Sequence, residues 1–278
     1  MRNTNIFIDE ETAEQIKEYR LIDDIFFNVF FDENKEDVQF ILRIILDKKD
    51  LIVTEVTVQK QFKNIRGRSA ELDVVAKDSS DKIYNIEIQR ASKGAIPKRA
   101  RFHSSMLDSA AVKKGMDYEQ LPETYVIFIT ETDIFEENEP IYTIERCIIG
   151  KNKVKLFDDM AHILYVNGQN KEDTELGRLM QDFMCSDPNK MHNTNLAEKA
   201  RFLKENEGGR AIMAMSMEDL FNKGYDKGTS VGKHAQAVSG AIRLIKRGKD
   251  SIEEIADIME LPLEEVIALE KQVKTIPV

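Results

Sequence analysis

The sequence predicts a mixed α/β fold, a core in the order α-β-β-β-α-β followed by a helical extension. Three stretches carry this reading. Residues 22–47 place Ile25, Phe26, Val29 and Phe30, then Phe40, Ile41, Ile44 and Ile45, at helical spacing. "AELDVVAK" and "YNIEIQR" alternate apolar and polar residues as strands do. "ETYVIFIT" is a nearly continuous apolar run of the kind buried in a sheet.

The elements follow in order. The 22–47 segment reads as two helices, or as one bent near Asp32–Asn34. "LIVTEVTVQKQF" is rich in β-branched residues and reads as the first strand, with the two alternating strands behind it. Pro97 suits the first turn of a helix running to about Lys114. Past residue 133, "PIYTIERCII" and "AHILYVNG" read as strands and "TELGRLMQDFM" as a helix. The polar, glycine-containing "KENEGGR" marks a boundary, giving a core domain over 1–205 and a helical extension over 206–278. In the extension, Gly224, Gly228 and Gly232 recur every fourth residue. That spacing permits close helix approach, and with it self-association through the C-terminal helices; it equally suits a flexible connector. Residues 251–269 read as a helix–turn–helix pair with Ser251 as N-cap and Leu261-Pro262 at the turn. Residues 251–278 hold seven acidic against two basic side chains, which argues against that pair reading DNA.

The 278 residues are 42% hydrophobic and 32% charged, the balance of a soluble globular protein. No apolar run reaches the ~20 residues of a membrane span, and the acidic start lacks a signal peptide's apolar stretch. Cys147 and Cys185 are isolated, so neither a disulfide framework nor a zinc site is indicated. A cytoplasmic protein is expected. The net charge of −10 argues against a protein that coats nucleic acid wholesale. Yet Arg90 to Leu107 contains no acid and carries Arg90, Lys93, Lys98, Arg99 and Arg101. His103 lies beside this strip and reads as an ordinary polar side chain. The other histidines show no metal-ligand spacing, and no phosphate-binding glycine loop or Ser/His/Asp set is visible.

The two alternating strands hold the chemistry. With a three-residue turn at Ser79-Ser80-Asp81, Asp73 falls opposite Glu87 and Glu71 opposite Gln89, while Leu72, Val74 and Ala76 meet Ile88, Ile86 and Tyr84. A two-residue turn would mix the faces, which the pleat does not tolerate. Opposed Cβ atoms lie ~4.5–5.5 Å apart, so the two carboxylates repel unless a cation or proton joins them. Hard oxygen ligands at that spacing suit Mg²⁺ or Mn²⁺. A solvated polar face is the plainer alternative, and the hairpin alone leaves both open.

The order Asp73, then Glu87-Ile88-Gln89 fourteen residues on, within this succession of elements, resembles the PD-(D/E)XK nuclease superfamily, and more closely its nuclease-family transposases of the recombination-promoting type. "DDIFFNVFF", "GAIPKRARFHSSMLD", "DYEQLPETYVIFITETDIF" and "GRLMQDFMC" extend the resemblance over about residues 20–205. It implies a restriction-endonuclease-like αβββαβ core and metal-dependent hydrolysis of DNA, linked to recombination or mobile elements. By the resemblance, Asp73 and Glu87 are metal ligands, Asp24 matches the acid of the first helix, and Gln89 stands where the superfamily has lysine. Arg101 falls at a phosphate-facing position, with Arg99, Lys98 and Arg90 as further DNA contacts. Asp24 reads equally as a helix cap. The neutral Gln89 departs from the superfamily pattern and keeps a second reading open: a catalytically inactive nuclease fold used for interaction or DNA binding.

Overall fold

The computed structural model describes residues 8–62 and 70–275. Three helices open the chain: α1 (Glu10–Glu18), α2 (Asp24–Phe31) and α3 (Lys35–Leu46). The 22–47 segment is thus two helices. Asn34 starts the second, its side chain accepting the Asp37 N–H at 3.0 Å. Strands β1 (Val53–Phe62), β2 (Ala70–Asp78) and β3 (Ile83–Gln89) follow, then α4 (Pro97–Ala111) with proline in its first turn, then β4 (Thr124–Thr130). This is the expected α-β-β-β-α-β order.

The segment read as one strand, "PIYTIERCII", divides into β5 (Ile141–Ile144) and β6 (Cys147–Ile149). The two belong to different sheets. β6 pairs with β7 (Val154–Leu156) in a separate ribbon, while β5 joins β8 (Ala161–Asn167). Helices α5 (Glu175–Phe183) and α6 (Thr194–Glu205) end the α/β part.

The main sheet runs β1-β2-β3-β4-β8-β5. β3, β4 and β8 are parallel neighbours and the outer pairings are antiparallel. Every residue of β4 is buried, which explains its unbroken apolar sequence. α4 lies on one face against Val75, Val126, Phe128 and Tyr165. α2 and α3 pack beside β1–β3, with Phe26, Phe27, Phe30 and Phe31 buried.

The β2–β3 turn has the expected three residues. Val74 pairs with Ile86 and Ala76 with Tyr84, and Asp81 adopts a left-handed φ of 64°. Asp78 holds the turn shut. Its buried carboxylate accepts the Ser80 N–H at 2.8 Å, the Lys82 N–H at 3.0 Å and the Tyr84 hydroxyl at 2.7 Å.

The chain divides into two compact units, residues 1–216 and 217–278. α7 (Glu207–Arg247) is one continuous helix through the point of division. In the second unit its last turns pack on α8 (Ile252–Met259) and α9 (Leu263–Thr275) through Ala241, Ile255, Leu261 and Val266. Ser251 caps α8 in a reciprocal box with Glu254. Gly224, Gly228 and Gly232 face open space, so they bring no described segment of the chain close. Among the described residues no helix is long and apolar enough to cross a membrane.

Asp78→Ala strands two backbone donors and a buried hydroxyl beneath the hairpin. It should lower unfolding free energy by ~2–4 kcal/mol, read from the urea midpoint at constant m.

Candidate active site

The site begins where β2 and β3 stop pairing. Their ladder ends at Val74–Ile86, although β3 stays on β4 as far as Gln89–Thr130 and β2 stays on β1 as far as Ala70. Two side chains occupy the gap. The Asp73 N–H donates to Glu87 Oε1 at 3.2 Å, and the Ile88 N–H donates to Asp73 Oδ2 at 3.0 Å. Each carboxylate therefore takes a backbone donor of the opposite strand. At the same level of β1, Gln59, between Val58 opposite Val74 and Lys60 opposite Leu72, has a left-handed φ of 49°.

The expected alignment of Asp73 with Glu87 is met through side chains. The expected pairing of Glu71 with Gln89 is not formed. Beyond the gap Glu71 pairs with Gln61 of β1, accepting from Gln61 Nε2 at 3.1 Å. Extrapolating a register fails once side chains replace the ladder.

The polar face is not solvated. Glu87 and Asn85 are 0% exposed, roofed by the first turns of α4. Glu87 Oε2 accepts from Arg99 at 3.1 Å, and Arg99 also donates to the Gly94 carbonyl at 2.9 Å while lying over the Phe128 ring. His103, one helical turn on and 4% exposed, has Nδ1 3.4 Å from Glu87 Oε1 and from the Asn85 amide. Its Nε2 accepts from Arg99 Nε at 3.3 Å. A guanidinium can only donate, so the Arg99 contact assigns the ring hydrogen to Nδ1, facing Glu87; the Asn85 amide nitrogen is a donor too and is then a neighbour of Nδ1, not its hydrogen-bond partner. Arg99 and His103, four apart on one helix face, thus grip a glutamate presented by a strand.

The electrostatics gather the remaining acids. The Asp73 carboxyl is held well above its ordinary value, by burial first and by the charge of Glu87 second, with Asp24 adding; the Ile88 N–H and Arg99 oppose. Asp24 is the first residue of α2 and does not cap it: the N-cap is Asp23, and Asp24 accepts from Asn28 at 3.1 Å. Although Asp24 as a residue is exposed, its carboxyl is raised by partial withdrawal from water and then by Glu71 and Glu87. Asp24 therefore feels the charge of the acid pair.

Gln89 is half-buried and packs on Gly94, where an added Cβ would lie 1.7 Å from Gln89 Oε1. The basic residues separate. Arg99 turns inward to Glu87. Arg90 is tied to Asp23 and Glu131 at 3.1 Å each, in a network that Arg20 completes. Lys98 and Arg101 are exposed on α4, and neither makes a side-chain hydrogen bond or ion pair among the described residues.

The sequence model of the PD-(D/E)XK nuclease family transposases matches residues 21–217, which include the whole of this arrangement. The chain belongs to that family. No individual curated protein and no solved structure matches it. The family makes the chain a nuclease-type transposase and points to a divalent metal and to DNA.

Among the described residues no group of three or more His, Cys, Asp or Glu side chains is arranged as a ready-made metal cage. A buried carboxyl whose proton affinity is raised by burial and by a second carboxylate across a strand gap does fit a hard cation of the Mg²⁺ kind. Such an ion takes one or two protein carboxylates and fills its sphere with water and phosphate.

Two outcomes follow. The native protein holds the Asp73 proton more tightly than the unfolded chain does. Stability of the metal-free protein should therefore fall as pH rises from the ordinary carboxyl value of 3.8 through the raised native one. Asp73→Asn should flatten that slope and raise the urea midpoint at pH 8. Gly94→Ala should displace the Gln89 amide, lowering nuclease activity severalfold while the melting temperature moves little.

Proposed function

We propose that the chain is a divalent-metal-dependent DNA endonuclease acting in recombination or in the movement of mobile elements. The observation that supports this most directly is the crossed pair of hydrogen bonds between Asp73, Glu87 and each other's strands, which turns both carboxylates into one gap. Asp73 and Glu87 would hold the ion, with Asp24 contributing a further oxygen. Bound there, Mg²⁺ or Mn²⁺ would acidify a water and polarise a phosphate oxygen.

The protein's own groups set the rest. His103 and Arg99 fix the Glu87 carboxylate from the α4 side, so its orientation does not depend on the ion. Gln89, backed by Gly94, orients the attacking water through its amide, which can donate and accept but carries no charge. Arg99 supplies the positive charge that a lysine at position 89 would have brought. Lys98 and Arg101, outward on α4, draw in the phosphate backbone.

A second reading has one observation behind it. The Arg99–Glu87 ion pair already compensates the buried carboxylate, as it would in a nuclease fold retained only for binding. Supercoiled plasmid separates the two. The enzyme reading expects nicking by the wild type with Mg²⁺ or Mn²⁺, none with EDTA, and a loss of about 100-fold or more in Glu87→Gln. Arg99→Ala should lose about tenfold or more, and Arg99→Lys less. Equal nicking by wild type and Glu87→Gln, or nicking that survives EDTA, would sink it; DNA binding without any nicking leaves the second reading.

A further inference from the structure

β6 and β7 stand outside the main sheet and pair with each other, Cys147 opposite Leu156, Ile148 opposite Lys155 and Ile149 opposite Val154. The turn at Lys151-Asn152 is closed by the Gly150 N–H donating to the Lys153 carbonyl at 2.9 Å. The pleat sorts this ribbon into faces: Cys147, Ile149, Val154 and Leu156 on one, Ile148 and Lys155 on the other. Ile149 is 82% exposed and Val154 69%. A lone two-stranded ribbon is marginal in water, and this one leaves its apolar face bare.

Its charge is the opposite of the chain's. Residues 147–157 hold three lysines and no acid in a protein of net charge −10. Lys151, Lys153 and Lys155 are exposed, and none makes a side-chain hydrogen bond or ion pair among the described residues.

The ribbon's base lies within electrostatic reach of α4. Arg146 pairs with Asp159, the Phe157 N–H donates to the Arg146 carbonyl at 2.8 Å, and Asp108, in the last turns of α4, feels the charges of both Arg146 and Asp159. The first turn of the same helix holds Arg99 on Glu87. Nine residues of helix, roughly 14 Å of rise, therefore separate Arg99, on the acid pair, from Asp108, facing the ribbon's base. Exposed Lys98 and Arg101 lie near one end of that interval, Lys113 and Lys114 just past the other.

We propose that the β6–β7 ribbon is a duplex-DNA arm, its lysines against phosphates and its apolar face, led by Ile149 and Val154, against sugars and base edges of the minor groove. The proposal rests on the nuclease reading and names the part of the protein that would hold the substrate away from the cut. At ~3.4 Å per base pair the base of the arm meets the duplex about four base pairs from the cleaved phosphate. An acidic protein partner would suit the lysines alone; the cations at both ends of α4 continue the path from the acids and favour the duplex.

The test is fluorescence anisotropy of the full chain on a labelled duplex of about 30 base pairs, in EDTA, over a range of NaCl. The triple variant Lys151→Gln/Lys153→Gln/Lys155→Gln should bind about tenfold more weakly, and the slope of log K against log salt should shrink by about 2 to 3. Ile149→Ser/Val154→Ser should weaken binding severalfold and leave the slope alone. Neither change touches the main sheet, so both variants should melt as the wild type does. Wild-type affinity and slope in the triple variant would overturn the arm, as would a wild type that binds no duplex. A double variant that changes particle mass in light scattering, and not DNA affinity, would overturn it in favour of a contact between copies. Nicking without these binding losses sinks the arm and spares the nuclease; the binding losses without any metal-dependent nicking do the reverse.

Discussion

The site depends on a substitution of bonds. Between β2 and β3 the main-chain ladder gives way to two carboxylates, each accepting an N–H from the facing strand. A ladder there would close the sheet and leave the acids no gap to share. The exchange keeps both backbone donors satisfied, so the strands can separate without stranding polar groups. It also buries Asp73 and sets the negative charge of Glu87 beside it, so Asp73 resists ionisation, through burial first and repulsion second. The fold tolerates this repulsion because the surroundings fix it in place. β4 holds β3 along its whole length, and Asp78 closes the far end of the hairpin.

Much of this could be read from the chain. The pleat allows only a three-residue turn between the alternating strands, and that turn alone sets Asp73 level with Glu87. Helical spacing gave α2 and α3, and the continuous apolar run of β4 marked the centre of the sheet. The burial of Asn85 and Glu87 could not be read in this way. Strict alternation looks the same whether the polar side meets water or a roof of Arg99 and His103. The roof could be found only by joining two periods, 85 and 87 on a strand with 99 and 103 on a helix.

The basic strip shows the same limit. By sequence Arg90, Lys98, Arg99 and Arg101 form one positive run. The helix turns Arg99 inward and leaves Lys98 and Arg101 outside, while Arg90 is neutralised by Asp23 and Glu131 from other parts of the chain. Charge along a sequence therefore overstates charge on a surface. The ribbon at 147–157 was missed for a different reason: "PIYTIERCII" has one continuous β signal, and only the Glu145-Arg146 break separates a strand of the main sheet from one outside it.

The exchange of lysine for Gln89 then has a charge argument. On the proposed reading, Asp24, Asp73 and Glu87 bring three negative charges and Arg99 one positive, a balance of −2 that a divalent ion matches. A lysine at position 89 would lower that balance to −1 and set a second cation beside Arg99. Gln89 keeps a polar group where water must be held and leaves the charge to a guanidinium fixed by Gly94, His103 and Glu87. Arg99 delocalises that charge over a planar group whose donors are already directed, so it can face a phosphate without abandoning the carboxylate it steadies. The departure at position 89 and the inward turn of Arg99 are in this sense one feature: the positive charge has left the strand and entered from the helix.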